Sequence, residues 1–281
     1  MELPSAQGLR CGVLAVSVLH DVDVRPSDRG VTMPGTIDID VSWLECVQAL
    51  GGAAPDSRAG HERLARWLLA RRWIADRHLG ELAELARPVG LPVGHHLHPG
   101  PEWVRFAVPG GAMDVGLGVL GLDRAQPDSI VIVAPAVWSA AGVDPSPWWA
   151  PARAYLGDMC RIAVDRRLRS AQAPLRPMGD CDVVTLLGCG AFRVSLLGPG
   201  ESMAAVAAPM RDRGWTDLRR IDPAFVVAAA AATDPERRGF ARPLLITADE
   251  VAMVGAGGRP ARDALADAAP DEFWPRPVRY R

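Results

Sequence analysis

Residues 61–86 read HERLARWLLARRWIADRHLGELAELA, and this block decides the helical half of the fold. Leu64, Leu68, Ala75, Leu79, Leu82 and Ala86 fall on one i, i+3/i+4 line, interrupted at Arg71. Asp56 and Ser57 are start candidates, Pro88 is a stop, and Gly80 is a candidate break into two helices. The opposite face carries both signs of charge, as a solvated surface does.

Upstream, 9–24 alternates loosely and reads as a strand, with its apolar centre 11–19 open to a buried strand or a short helix. Ile37, Ile39 and Val41 alternate against Asp38 and Asp40, so 36–41 reads as a short strand. It feeds a helix at 42–50, where Ser42 and Glu45 have capping-box spacing. Downstream of Leu91 the texture changes to frequent Pro and Gly. Strands are expected at 103–108, 113–122 and 129–133, and a helix at 152–169 behind the Pro-rich loop 144–151. A hairpin is expected at 182–187 and 191–197, turning on Gly188-Cys189-Gly190. A helix at 202–213 and another at 224–232 follow, the second opened by Asp222-Pro223. The second is apolar all round, which predicts deep burial. Residues 244–247 read as a strand, with 251–254 as its hairpin partner or a short helix. The tail from Gly255 reads as loose.

These elements imply an α+β fold. A helical N-terminal third, residues 1–90, is expected to pack on a mixed, partly antiparallel sheet with further helices, residues 91–281. The two parts could equally form one continuous domain.

All 31 basic residues are arginine, and the chain holds no lysine and no asparagine. That excludes a pyridoxal-phosphate (PLP) anchor, a P-loop nucleotide site with its lysine, and a Ser–Lys dyad. It also excludes N-glycosylation and a Cys–His–Asn triad. The arginine-rich, lysine-free composition follows GC-rich codon usage and points to a high-GC bacterial source. Net charge is −2, so there is no electrostatic case for nucleic acid or an anionic membrane. No stretch approaches the roughly 20 apolar residues of a membrane span. Five cysteines at scattered spacing, with no C-x-x-C, read as reduced cytoplasmic thiols that mostly fill the core.

Several motifs carry candidate chemistry. Gly116, Gly118 and Gly121 match G-x-G-x-x-G, but no helix follows, so a strand with a glycine face is expected rather than an NAD site. Gly200-Glu201-Ser202 before an expected helix has the layout of a nucleophile elbow. All six histidines precede it, which removes the ordinary hydrolase order. In His95-His96-Leu97-His98, an extended backbone would place His96 and His98 on one face, able to chelate a divalent metal. Asp180 and Asp182 are the best further ligands, ahead of the pairs Asp21/Asp23 and Asp38/Asp40. Trp148 and Trp149, in a proline-stiffened loop, could grip a partner or ligand, or fold the loop onto the core.

The leading functional expectation is a cytoplasmic, non-catalytic binding or protein-interaction protein with a protein or small-molecule partner. Two alternatives stand beside it. One is a metal-assisted hydrolase or transferase centred on His96 and His98 with Asp180 and Asp182. The other is an arginine-lined site for a small anion.

Overall fold

A computed structural model describes residues 4–123, 126–170, 174–216 and 223–254. Near its start, the Ser5 side chain accepts the Gly8 N–H and opens α1 (Ala6–His20). Residues 9–24, expected as a strand, are therefore mostly helix. Leu9, Gly12, Val13 and Val16 form the buried face. The valine-rich run hid this 3.6-residue period behind an apparent alternation. Asp21 closes the helix in the left-handed region, at φ 52°.

Strands β1 (Arg25–Pro26), β2 (Gly30–Met33) and β3 (Ile39–Ser42) form an antiparallel sheet. Ile39 and Val41 point inward as expected, while Ile37 stays exposed. The capping box opens α2 (Trp43–Leu50). Glu45 N donates to Ser42 Oγ at 3.2 Å, and Ser42 N donates to Glu45 Oε2 at 2.8 Å.

The 61–86 block forms α3 (Arg58–Ala75), capped by Ser57, and α4 (Leu79–Leu85). The break falls at 76–78, just before Gly80, where the Glu81 carboxylate takes the His78 N–H at 3.0 Å and starts the second helix. Arg71, which interrupts the apolar line, is itself buried, with Glu45 3.8 Å away. Helices α1 and α2 both pack on α3.

Strand β4 (Ala86–Pro92) follows α4 directly and was not anticipated. It lies in a sheet with β5 (Arg105–Ala107) and β6 (Met113–Leu120), in the order β4–β6–β5. The end of β6, at Val119 and Leu120, pairs with β7 (Ile130–Val131). Helix α5 (Pro135–Ala140) follows β7, and α6 (Trp149–Arg169) covers the helix expected at 152–169.

The expected hairpin at 182–197 is instead two short helices, α7 (Val183–Leu187) and α8 (Gly190–Leu196). Asp182 Oδ1 takes the Thr185 N–H at 2.7 Å and caps α7. All five α7 residues are buried, so no period survives to distinguish helix from strand. The helix backbone presses on β4: the Gly90 N–H donates to Thr185 Oγ1 at 2.8 Å, and a Cβ at position 90 would lie 2.7 Å from Thr185 Cα.

The converse error occurs at 202–213. Strands β8 (Ala204–Met210) and β9 (Arg213–Trp215) replace the expected helix. Alanine favours helix intrinsically, but Ala204, Ala205 and Val206 pair across to a neighbouring strand, and tertiary pairing overrides propensity. Helix α9 (Pro223–Ala232) forms as expected, but only Val226 and Ala230 are buried and Phe225 is exposed. It packs one side on β8, and its apolar character does not bring full burial. Strands β10 (Leu244–Ile246) and β11 (Val251–Met253) form the expected hairpin. Thr247 Oγ1 accepts the Asp249 and Glu250 N–H groups within its turn. The sheet order is β11–β10–β8–β9. Asp222 and the tail from 255 lie outside the described residues.

The architecture is α+β, with helices and separate antiparallel sheets. Contacts divide the chain into two compact units. One lies within Met1–Leu85 and Val119–Pro145, the other within Ala86–Gly118 and Ser146–Arg281. The core of the second draws on β6, α6, α7, α8, β8 and β10. Among the described residues, no helix is long and apolar enough to cross a membrane.

Candidate functional site

The histidine cluster is a turn. His95 N donates to Pro92 O and His98 N to His95 O, so the extended face expected to join His96 and His98 does not form. His95 is buried, and its Nδ1 accepts the Leu97 N–H at 3.2 Å. The exposed His96 ring sits 4.6 Å from that of His95. His98 Nδ1 accepts the Gly100 N–H at 3.2 Å, which leaves its proton on Nε2, 3.0 Å from Asp114 Oδ2. Arg105 Nε lies 3.3 Å from the same oxygen.

The aspartates are engaged elsewhere. Asp180 Oδ2 accepts from Arg87 Nε at 2.6 Å and Tyr155 OH at 3.1 Å. Asp182 caps α7 with one oxygen and accepts from Arg211 Nε at 2.8 Å with the other. The expected ligand set of His96, His98, Asp180 and Asp182 is not assembled. Among the described residues, no three His, Cys, Asp or Glu side chains are placed to hold a metal ion.

Trp148 is buried, and Trp149 packs against the core with its ring 6.0 Å from Phe106. The tryptophan pair folds its loop inward instead of presenting two rings to a ligand. Ser202 is exposed ahead of a strand, so the nucleophile-elbow layout is absent. A cleft of about 580 Å³ lies in the first unit, but its arginines, Arg72 and Arg77, share it with Asp76, Glu81 and Glu84. Arg72 is already bonded to Asp76 and Arg77 lies over the Trp73 ring, so the cleft does not present a free cationic lining.

What the fold does bring together is a set of thiols. Cys160 on α6, Cys181 just before α7 and Cys189 between α7 and α8 all belong to the core of the second unit. Cys160 and Cys181 are buried, while Cys189 is half-buried. Cys160 Sγ lies 4.0 Å from the Leu186 carbonyl, which also accepts the Cys189 N–H at 3.0 Å. The flanking glycines explain how Cys189 enters this crowded position. A Cβ at 188 would lie 2.3 Å from Val115 Cγ2, and one at 190 would lie 3.2 Å from the Ala248 carbonyl.

Arg193, one turn along α8, is buried. It donates to the carbonyls of Leu187 at 2.8 Å, of Thr247 at 3.2 Å and of Ala248 at 2.8 Å. Carbonyls satisfy its hydrogens without neutralising its charge, so an anion beside it is favoured. Cys189 can supply that anion. The Cys160 thiol donates toward it, and this outweighs the opposing effect of burial. The backbone N–H groups of Ala191 and Phe192 lie toward its sulfur without closing a capping bond, and Arg193 adds its charge. Together they pull the Cys189 thiol down to about 6. The same interaction with Cys189, added to burial, pushes Cys160 up and keeps it protonated. Burial and the neighbouring Asp182 and Asp180 push Cys181 up to about 12.

The surroundings thus act on the pair in opposite directions, lowering Cys189 and raising Cys160. A thiolate is the nucleophilic form of cysteine, so Cys189 is equipped to attack electrophilic sulfur, carbon or peroxide oxygen. Sequence reading treated the cysteines as core filling and missed Cys160, Cys189 and Arg193. The one local signal was the glycine on each side of Cys189, which was read as a turn. No protein-family model, curated protein or solved structure matches this chain.

Proposed function

We propose that this chain is a non-catalytic binding protein of the reducing cytoplasm whose reactive group is the Cys189 thiolate. In this reading it responds to peroxides or other electrophiles by reacting once and changing state, without turning over a substrate. The observation that carries it is the position of half-buried Cys189 at the head of the helix that holds the buried Arg193, with Cys160 reaching the Leu186 carbonyl that accepts the Cys189 N–H. A further feature supports it: the five cysteines are unbridged, as thiols in a reducing compartment are.

The test is alkylation by iodoacetamide as a function of pH, with the modified cysteine identified by mass spectrometry. Cys189 should react fastest of the five, with its rate half-maximal near pH 6. Cys189→Ser should remove that fast phase. A rate at Cys189 that rises only above pH 8, or a fast phase that survives Cys189→Ser, overturns the reading.

A further inference from the structure

We propose that Cys160 and Cys189 form an internal disulfide when the protein meets a hydroperoxide, with Cys160 as the resolving thiol. The inference rests on the reading of Cys189 as the reactive group and adds the identity of its partner. Three features of the fold support it. Cys160 sits on α6, Cys189 at the head of α8, and these two helices pack directly on one another. The Cys160 thiol and the Cys189 backbone converge on one group: Leu186 O lies 4.0 Å from Cys160 Sγ and accepts the Cys189 N–H at 3.0 Å. Cys189 is half-buried and reachable from solvent, whereas Cys160 is buried.

The chemistry closes in two steps. The Cys189 thiolate attacks one oxygen of hydrogen peroxide. An S–O bond forms, the O–O bond breaks, and hydroxide leaves to take up the proton that Cys189 had released. Cys189 is then a sulfenic acid. The Cys160 sulfur next attacks the Cys189 sulfur. An S–S bond forms, the S–OH bond breaks, and the hydroxyl departs as water with the Cys160 proton. Two thiols have lost two electrons, and the peroxide has been reduced to two waters.

Cys181 is the competing partner. It lies in the same core, but its backbone pairs with Met178 ahead of α7, whereas Cys160 and Cys189 both reach the Leu186 carbonyl. Oxidation would also remove the thiolate beside Arg193, leaving that buried guanidinium with its carbonyl partners and the Asp249 carboxylate. The helix α8 and the turn at Thr247–Ala248, which Arg193 ties together, are the parts that would respond.

The experiment treats the full-length protein with stoichiometric hydrogen peroxide, quenches with N-ethylmaleimide under denaturing conditions and maps disulfides by non-reducing peptide mass spectrometry. The expected result is a Cys160–Cys189 linked peptide and a thiol count lower by two. In Cys160→Ser, which keeps a hydroxyl donor beside Cys189, dimedone should instead trap a sulfenic acid on Cys189. A Cys181–Cys189 link, or over-oxidation of Cys189 to sulfinic acid in the wild type with no link, overturns Cys160 as resolving thiol while leaving Cys189 reactive. An unmodified Cys189 overturns both this inference and the reading beneath it. Mapping on the wild type decides the matter even if Cys160→Ser does not fold.

Discussion

The indole of Trp103 occupies the space that a side chain at Gly116 would need. A Cβ at position 116 would lie 2.4 Å from Trp103 Cε2, and Trp103 Nε1 donates to Leu117 O at 2.8 Å. The glycine on β6 is therefore a packing requirement within the sheet. This gives the first glycine of the G-x-G-x-x-G match at 116–121 a packing role in the strand.

Gly116→Ala should be strongly destabilising. The methyl has to displace a buried indole that is also hydrogen-bonded to the strand, and overpacking of this kind costs about 1–3 kcal/mol. The urea midpoint of the variant should fall accordingly. Gly118→Ala makes a useful comparison on the same strand. A Gly116→Ala midpoint equal to wild type would show that Trp103 does not pack on this glycine.

Asp182 should matter as a structural residue. One oxygen caps α7 and the other accepts from Arg211, and both side chains are largely buried. Asp182→Ala should cost roughly 2–4 kcal/mol, from the lost cap and an unpaired guanidinium. Asp182→Asn, which retains an acceptor for the Thr185 N–H, should cost less. Equilibrium denaturation reads both. If Asp182 were a metal ligand, added zinc would raise the wild-type midpoint and Asp182→Ala would abolish that rise.

His95 should make the second unit acid-sensitive. Burial is the first cause and the neighbouring His96 and Arg211 add to it, holding the ring's pKa down to about 3 from its ordinary 6.5. The folded state therefore resists a proton that the unfolded chain accepts. The stability due to neutral His95 is fully present above pH 6.5 and is lost progressively as pH falls toward 3. The slope approaches about 1.4 kcal/mol per pH unit, so roughly 2 kcal/mol should vanish between pH 6.5 and pH 4.5. Thermal melts across that range should show the fall in wild type and a flatter profile in His95→Gln. Parallel profiles would mean that the ring ionises freely in the fold.

Local signals were legible where side chain and backbone act within a few residues. The Ser42–Glu45 capping box, the Ser57 start of α3 and the alternation of Ile39 and Val41 all appear as read. The close approach expected at the glycines of β6 appears at Gly116. The errors fall where burial erases the period. Helix α7 is buried on every side and reads as a strand, while the alanines of β8 read as a helix until a partner strand is placed beside them. At the candidate site, the residues read first were polar and conspicuous, and the fold employs most of them structurally. Asp180 and Asp182 hold arginines, His98 holds Asp114, and Trp148 fills the interior.

By itself the sequence determined what chemistry the chain can carry. Having no lysine and no asparagine, and with every histidine at or before position 98, it left carboxylates and thiols as the reactive groups of its later part. It could not say which thiol is activated. That choice depends on α6 meeting α8, on glycines that let Cys189 into a crowded turn, and on a buried arginine satisfied by carbonyls alone. An ionisation is shifted by charges and donors a few ångströms away in space. For Cys189 the donor with the largest effect, Cys160, lies on a different helix, and only the tertiary fold brings it alongside.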